Sequence, residues 1–245
     1  MKVLILAAGQ GKRLRPLTKD IPKCMVSYKN KPIIDYIINT AKNFGINDIA
    51  VVCGYKKNVL KKYLKESDLT FFSNDEYDST NMVTTLFVAK EYMDDDLIVS
   101  YSDIVYKEGI LKKLIDSNQE IAVIVDRKWR ELWAKRMENP LDDAETLKIK
   151  NGRIIELGKK PKNFLEIEGQ YIGLIKISKR IINNVIEFYE KFDKKVIDDG
   201  FDYKSMYLTS FIQMMINNSF EVSPVFIDGG WVEIDTPEDL NLEMV

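Results

Sequence analysis

Residues 6–25 read LAAGQGKRLRPLTKDIPKCM, and the interpretation of the whole chain starts from this stretch. Its first residues belong to the apolar run Val3–Ala8, which predicts a buried strand. The strand leads into a glycine-rich, basic loop. Gly9 and Gly11 would let backbone N–H groups approach phosphate oxygens without an intervening Cβ. The cationic residues of the loop include Lys12, Arg13, Arg15 and Lys23. Cations beside exposed amides suit a triphosphate, although a solvated basic turn is the simpler alternative.

The spacing of this loop excludes two familiar nucleotide sites. A P-loop would end in Gly-Lys-Ser or Gly-Lys-Thr at a fixed spacing, and that spacing is absent. The third glycine of a dinucleotide fingerprint is replaced by Leu14. The loop is therefore predicted to bind phosphate in some other way.

The composition limits the chemistry that the chain can perform. It contains no histidine, which excludes Ser-His-Asp and Cys-His catalysis and histidine-ligated zinc. Carboxylates, Lys, Arg, hydroxyls and an oxygen-bound metal remain available. The formal net charge is −2, so nothing in the charge favours nucleic acid or an anionic membrane as a partner.

The two cysteines, Cys24 and Cys53, are far apart and predict buried thiols rather than a metal site or disulfide. The apolar run at the N-terminus is too short for a signal sequence or a membrane span. We therefore expect a cytoplasmic protein.

Apolar runs alternate with amphipathic helical patterns, which favours an α/β fold. We expect a Rossmann-like, open, mainly parallel mixed sheet sandwiched by helices. Besides Val3–Ala8, the predicted strands are Ile49–Cys53, Leu69–Ser73, Leu97–Ser102, Ile121–Asp126, Leu147–Lys150, Arg153–Glu156, Gln170–Ile177 and Val222–Ile227. The predicted helices are Ile34–Phe44, Val59–Leu64, Asn81–Met93, Lys179–Phe192 and Tyr203–Asn218, with a further helix starting at Pro237. Asn151-Gly152 predicts a tight hairpin. Residues 1–245 are expected to form one domain, with residues from about 126 to 177 forming a small β-rich, acceptor-side lobe.

The glycine-rich stretch, followed by Lys31-Pro32-Ile33, resembles the signature of the nucleotidyltransferase superfamily. That superfamily includes sugar-1-phosphate nucleotidyltransferases and bacterial choline-phosphate cytidylyltransferases. The resemblance implies that Arg13 and Lys23 contact the triphosphate and the reacting phosphates, and we predict both as catalytic. It implies nucleotide binding by Leu6, Ala7, Ala8, Gly9, Gly11, Lys12, Arg13 and Lys23. Lys12 departs from the family, which usually has a small hydroxyl residue there.

Three carboxylates are predicted to hold Mg²⁺. Asp103 follows a strand end, where open α/β sheets bind ligands, and it matches the family's metal-binding aspartate. Glu233 and Asp235 are two residues apart and resemble the family's C-terminal metal motif. Asp235 also precedes Pro237, so capping of a helix is an alternative role.

The resemblance also implies contacts to the base and ribose in the cytidylyltransferase branch. They fall on Gly54, Tyr55, Asn74, Thr80, Asn81 and Ser102. Several of these are residue types that also form turns or helix caps.

The segment 126–145 and the residues after the hairpin are predicted to bind the acceptor. Trp129 and Trp133 would share one helical face and could enclose a cationic group. The predicted acceptor-binding set is Arg127, Trp129, Trp133, Arg136, Lys159, Lys160 and Glu168. A packed helix with a solvated charged face is the alternative. Lys159 stands where sugar enzymes have a glutamate, which favours an acceptor other than a sugar.

Nearly the whole chain resembles cytidylyltransferases that act on phosphoglutamine, phosphocholine or aminoalkylphosphonates. The implied activity is transfer of CMP from CTP to such an acceptor with release of pyrophosphate, for cell-surface polysaccharide modification. A sugar-1-phosphate uridylyl- or thymidylyltransferase and a non-catalytic nucleotide-binding regulatory subunit are the alternatives. We expect CTP and a small phosphorylated acceptor as partners, no nucleic acid and no membrane; a homo-oligomer is compatible with the sequence.

Overall fold

The computed structural model describes residues 1–191 and 203–244. The strands are β1 Lys2–Ala7, β2 Ser27–Tyr28, β3 Lys31–Pro32, β4 Ile49–Cys53, β5 Thr70–Ser73, β6 Leu97–Tyr101, β7 Ile104–Tyr106, β8 Ile121–Asp126, β9 Leu147–Lys150, β10 Arg153–Leu157, β11 Gln170–Ile177, β12 Val222–Ile227 and β13 Trp231–Glu233. The α-helices are α1 Ile33–Asn43, α2 Lys57–Tyr63, α3 Met82–Val88, α4 Glu108–Ile115, α5 Trp129–Arg136, α6 Ile182–Lys191 and α7 Leu208–Asn217. Short 3₁₀ turns connect several of them.

The described strands form a seven-stranded central sheet in the order β12-β8-β11-β6-β1-β4-β5. Neighbouring strands are parallel except around β11, which runs antiparallel to both β6 and β8. The sheet is therefore mixed and mainly parallel, as the alternating pattern predicted. Because β1 lies between β4 and β6, the glycine-rich loop leaves the sheet at its centre.

The central strands are buried on both faces, which explains why they appear in the sequence as continuous apolar runs. Successive residues of β1 enter opposite cores, because side chains alternate across a strand. Ile5 packs in the core beneath α1 and α4, whereas Leu4 packs in the core beneath α3, α6 and α7. Helices thus cover both faces of the sheet.

The nine predicted strands are all present, with each end within one residue of its prediction. The predicted helix Asn81–Met93 was wrong in extent. Asn81 caps it by accepting a hydrogen bond from the backbone N–H of Met82 (2.8 Å), and the α-helix ends at Val88. A separate 3₁₀ turn, Lys90–Tyr92, follows.

The helix predicted over Tyr203–Asn218 was also wrong in extent, because α7 begins only at Leu208. The predicted end of the preceding helix, Phe192, lies outside the described residues. The start predicted at Pro237 is a short 3₁₀ turn, Glu238–Asn241. The pattern did not predict α4 or the β7–β13 pair.

The predicted hairpin is confirmed, and it lies apart from the central sheet. Asn151 and Gly152 both have positive φ (53° and 76°), the conformation that a two-residue hairpin turn of this type requires. β11, by contrast, is a strand of the central sheet. Of the range 126–177, the hairpin and its flanking turns therefore lie off the sheet.

Cys24 and Cys53 are buried free thiols, as expected. No helix in residues 1–191 and 203–244 combines the length and apolarity that a membrane span requires.

We expect Leu4→Ala, in the centre of β1, to lower the free energy of unfolding by about 2–5 kcal/mol. Leu4 is 0% exposed, so its removal leaves a cavity in the packed core. Ile155→Ala is the control, since Ile155 is 47% exposed and should change stability by about 0.5 kcal/mol or less. Urea unfolding of both variants measures the difference. Equal losses would contradict this assignment of the core.

Candidate active site

Three segments that are distant in sequence meet at the carboxyl end of β1 and β6. Asp103 follows β6 by two residues. β13 pairs with β7, and the backbone N–H of Ile234 donates to the carbonyl oxygen of Asp103 (2.8 Å). This pairing carries Asp235 to the site, while the loop after β1 supplies Lys23.

Lys23 joins the two aspartates. Its Nζ donates to Asp103 Oδ2 and to Asp235 Oδ1, both at 2.7 Å. The Arg13 guanidinium forms an ion pair with the other carboxylate oxygen of Asp235. The structure therefore brings together both predicted catalytic cations and two of the three predicted metal-binding carboxylates.

The charge on Lys23 is stabilised by its neighbours. Burial acts to lower its pKa, but the negative charges of Asp103, Asp235 and Glu233 outweigh burial and raise the pKa above its ordinary value. Lys23 is therefore a permanent cation at neutral pH. The side chain of Arg13 is 66% exposed, so its guanidinium is open to an incoming anion.

The glycine-rich loop takes a shape that depends on Gly11. Gly11 has a φ of 59°, and a Cβ there would lie 3.0 Å from the Cβ of Lys23 and 3.1 Å from a methyl carbon of Thr18. The Thr18 hydroxyl donates to the Gly11 carbonyl oxygen (2.7 Å). The absence of a side chain thus lets the loop fold back against the lysine that it positions.

The loop after β4 holds the glycine-rich loop from the other side. The Tyr55 hydroxyl donates a hydrogen bond to the carbonyl oxygen of Lys19 (2.8 Å). The backbone N–H of Tyr55 donates to the carbonyl oxygen of Ala8 (3.0 Å). A Cβ on Gly54 would lie 2.7 Å from the Ala8 carbonyl oxygen. The contacts of Gly54 and Tyr55, predicted to bind the base, are with the basic loop.

The residues around Asp103 fit a divalent cation. Asp103 Oδ1 is buried and has no hydrogen-bond partner among the described residues, so one carboxylate oxygen is available beside Asp235. Carboxylate oxygens are the ligands that Mg²⁺ prefers. Within residues 1–191 and 203–244, no three Asp, Glu or Cys side chains converge to hold a metal. The predicted third ligand, Glu233, instead accepts a hydrogen bond from Arg136 Nη1 (2.6 Å).

A first cleft, here called the loop cleft, opens beside Lys23 and Asp103. Among its lining residues are seven of the predicted nucleotide-binding positions: Leu6, Ala8, Gly9, Lys23, Thr80, Asn81 and Ser102. Asn74 lies behind its wall, where its Nδ2 donates to the hydroxyls of Thr80 (2.9 Å) and Thr85 (3.0 Å). Asn74 therefore shapes the turn that forms one side of the cleft. Four other predicted nucleotide-binding residues at the end of β1 and in the loop do not line this cleft: Ala7, Gly11, Lys12 and Arg13.

A second cleft, here called the aromatic cleft, shares Met82 and Tyr101 with the first. Its volume is about 210 Å³. Its other walls combine rings and carboxylates: Trp133, Tyr171, Tyr207, Trp231, Asp143, Glu145 and Glu233. Two adjoining clefts can hold two substrates whose reacting ends meet near Lys23.

The model of the nucleotidyl transferase family matches residues 2–239 of this chain. The chain belongs to this family. A CTP:phosphoglutamine cytidylyltransferase from Campylobacter jejuni is 52% identical over 251 residues, covering 100% of this chain and 99% of the relative. A choline-phosphate cytidylyltransferase from Streptococcus pneumoniae is 39% identical over 108 residues, covering 44% of this chain and 47% of the relative.

The solved structure of the inositol-1-phosphate CTP transferase from T. maritima has the same fold. It superposes with a TM-score of 0.78 and 21% identity, covering 98% of this chain and 91% of that one. The predicted α/β architecture is thereby confirmed.

In this member of the nucleotidyl transferase family, one of the seven predicted acceptor-binding residues, Trp133, lines the aromatic cleft. Trp129 is buried against Trp133 and Phe164, with ring centroids 5.9 and 6.1 Å apart. Arg127 pairs with Asp228 through two hydrogen bonds on the surface.

The remaining predicted acceptor residues make local contacts. Lys159 pairs with Glu156, and Lys160 donates to the backbone carbonyl of Leu141. Glu168 accepts a hydrogen bond from the backbone of Ile149 (2.9 Å) and braces the hairpin.

Arg136 has a supporting position. Its side chain is only 4% exposed and pairs with Glu233 (2.6 Å) and Asp239 (3.1 Å). The carboxylate of Asp239 accepts the backbone N–H groups of Asp235 (2.9 Å) and Thr236 (2.8 Å). Arg136 thus fixes the segment that delivers Asp235, because burial commits its guanidinium to these partners.

The sequence interpretation missed several cleft residues. Tyr77 and Tyr101 line the loop cleft, and Glu145, Tyr171 and Trp231 line the aromatic cleft. Glu145 is the exception, since it ends the acidic run 142–145, for which the sequence suggests contact with an ammonium group. The others are aromatic residues whose pattern also fits an ordinary core.

We expect Glu145→Gln to reduce the pH dependence of stability. Burial raises the pKa of Glu145 from 4.5 to about 7. The folded protein therefore keeps a proton that the unfolded chain loses, so this contribution to stability is present below about pH 4.5 and is lost as pH rises through about 7. Glutamine stays neutral and keeps an oxygen that can accept the Thr209 hydroxyl.

Urea unfolding near pH 5 and near pH 8 measures this effect. The wild type should lose more stability over that interval than Glu145→Gln, whereas exposed Glu131→Gln should behave as the wild type. Identical pH dependence in all three proteins would refute the assignment.

Proposed function

We propose that this nucleotidyl transferase family member transfers CMP from CTP to a small phosphorylated or phosphonylated metabolite and releases pyrophosphate. The observation that carries the proposal is the meeting of Lys23 and Arg13 with Asp103 and Asp235 beside the glycine-rich loop. The names of the Campylobacter and Streptococcus relatives support CTP as donor and a phosphorylated acceptor.

The reaction needs electrostatic alignment rather than a proton-abstracting base. An acceptor oxygen, already an anion at neutral pH, forms a bond to the α-phosphorus. The bond from that phosphorus to the oxygen bridging it to the β-phosphate breaks, and pyrophosphate leaves with the electron pair. The barrier is repulsion between two polyanions, which fixed cations lower.

Each cation is assigned a place in this reaction. Lys23, in the wall of the loop cleft, bridges the acceptor oxygen and the α-phosphate. Arg13, on the exposed side, holds the β- and γ-phosphates together with Lys12 and the backbone N–H groups at Gly9 and Gly11. As the phosphates bind, they replace the carboxylates as partners of both cations.

Asp103 and Asp235 are the residues that would hold a divalent ion, with Mg²⁺ the ion best suited to oxygen ligands. When bound, such an ion supplies positive charge that neutralises the phosphates. Glu233 has its partner in Arg136 and belongs with the aromatic cleft in this proposal.

The loop cleft is assigned to the nucleotide and the aromatic cleft to the acceptor. Met82 and Tyr101 border both, so the α-phosphate and the acceptor oxygen can meet there. The segment just before the β9–β10 hairpin contributes Asp143 and Glu145 to the wall of the aromatic cleft, on the acceptor side.

Lys23→Ala, Arg13→Ala and Asp103→Ala should each lower kcat by at least ~10²-fold, as does removal of one electrostatic stabiliser in other enzymes. Steady-state pyrophosphate release measures this, with circular dichroism verifying that each variant is folded. If the Lys23 and Asp103 variants unfold, Arg13→Ala still tests the proposal, because Arg13 is largely exposed and its replacement should leave the fold intact. Lys29→Ala is the control, since Lys29 pairs with Glu243 away from both clefts. Near-normal turnover in all the site variants would reject these roles.

Pyrophosphate release should be fastest with CTP, compared with ATP, GTP, UTP and dTTP, and with an amino-bearing acceptor. The panel is phosphoglutamine, phosphocholine, 2-aminoethylphosphonate and glucose 1-phosphate. Preference for UTP or a thymidine nucleotide with the sugar phosphate would identify a sugar-1-phosphate enzyme instead. Binding of CTP without turnover of any acceptor would identify a non-catalytic nucleotide-binding protein.

A further inference from the structure

The aromatic cleft has an uncompensated negative charge. Three carboxylates line it, and no Lys or Arg is among its lining residues. Glu233 pairs with Arg136, but it shares that guanidinium with Asp239. Asp143 and Glu145 have no ion-pair partner within residues 1–191 and 203–244. The cleft is therefore electrostatically suited to a cation rather than to a neutral sugar.

Glu145 is held rigidly in this wall. Its Oε1 accepts the Thr209 hydroxyl (3.1 Å). Its backbone N–H donates to Gln170 Oε1 (3.0 Å), and its carbonyl oxygen accepts from Gln170 Nε2 (2.5 Å). Glycine at 158 allows Thr209 to approach, because a Cβ there would lie 2.9 Å from the Thr209 Cβ. A carboxylate fixed in this way is preorganised to receive a ligand.

A second, independent feature of the same cleft indicates a ligand. Trp133 is 4% exposed, and its indole Nε1–H has no hydrogen-bond partner among the described residues. Buried donors are rarely left unpaired in folded proteins. The wall thus offers a donor that an oxygen atom of a polar ligand would satisfy, close to carboxylates that lack a cation.

Aromatic rings line the same cleft. The guanidinium of Arg136 already lies over the Trp133 ring, 5.4 Å from its centroid, so attraction of a ligand cation falls to the other rings. Tyr101 and Tyr171 meet edge to face with centroids 5.8 Å apart, and Trp133 and Trp231 lie 5.9 Å apart. Aromatic faces attract cations and exclude water, so a carboxylate between them binds an ammonium group more strongly than a surface carboxylate does.

We infer that Glu145 is the residue that selects acceptors carrying a protonated amino group at the end away from the phosphate. The inference rests on the proposed function, because it assigns the aromatic cleft to the acceptor. An ammonium group donates hydrogen bonds to the carboxylate and replaces the missing countercharge. The raised pKa of Glu145, caused by burial and by the negative charges of Asp143 and Glu233, agrees with a carboxylate that lacks such a countercharge.

The test compares binding of two matched probes by calorimetry. The probes are phosphoglutamine and its des-amino analogue, in which hydrogen replaces the α-amino group. The wild type should bind phosphoglutamine at least about tenfold more tightly, since a hydrogen bond between charged groups contributes about that factor. In Glu145→Gln this preference should fall by about tenfold, while affinity for the des-amino analogue stays the same or rises, because its α-carboxylate no longer meets a negative charge at residue 145.

Controls distinguish a loss of preference for the amino group from a general loss of folding or of nucleotide binding. Glu145→Gln retains the Thr209 contact, so its affinity for CTP should remain close to the wild-type value. Its melting temperature should match that of the wild type near pH 4.5, where Glu145 of the folded wild type is also neutral. Glu131→Gln, on the exposed side of α5, should keep the full preference for the amino group. An unchanged preference in Glu145→Gln, or a wild type that binds both probes equally or neither, would overturn the inference. Pyrophosphate release, assayed in parallel, judges the proposed function independently of this binding result.

Discussion

The ammonium group of Lys23, bonded to Asp103 and Asp235, is the interaction on which the site depends. It joins a loop near the N-terminus to a strand end 80 residues later and to a segment 212 residues later. Buried charges are stable only when they are paired, so Lys23 depends on both aspartates, and Asp103 depends on Lys23. Three neighbouring features hold these residues in position. They are the positive-φ turn at Gly11, the hydrogen bond from the Tyr55 hydroxyl to the loop backbone, and the ion pairs of Arg136 with the C-terminal segment.

The same pairing explains how a chain without histidine can catalyse phosphate chemistry. Carboxylates hold the cations in place and keep them charged, and an incoming triphosphate can take over as their partner. The central position of β1 in the sheet places the loop where two clefts adjoin. The site therefore follows from the sheet order as much as from the identity of the residues.

The strands and the basic loop could be predicted from the sequence, because apolar runs and glycine spacing are local signals. Asp103 could be placed by its position after a strand. The role of Arg136 could not, because its partners Glu233 and Asp239 lie about a hundred residues away. Likewise, the ion pair of Glu233 with Arg136 could not be predicted, because the spacing shows only that Glu233 and Asp235 share one segment. Glu233 is still close enough to Asp103 and Asp235 to interact with both electrostatically, and its metal-binding role stays a prediction. The helix after Asn81 ended early because tertiary packing, rather than apolar periodicity, determined its length.

The most direct test of the central claim is a crystal structure with a non-hydrolysable CTP analogue and Mg²⁺. We expect the triphosphate in the loop cleft, with Lys23 Nζ about 3 Å from an α-phosphate oxygen and the ion held by Asp103 and Asp235. A triphosphate bound elsewhere, with Lys23 still bonded to both aspartates, would contradict the claim.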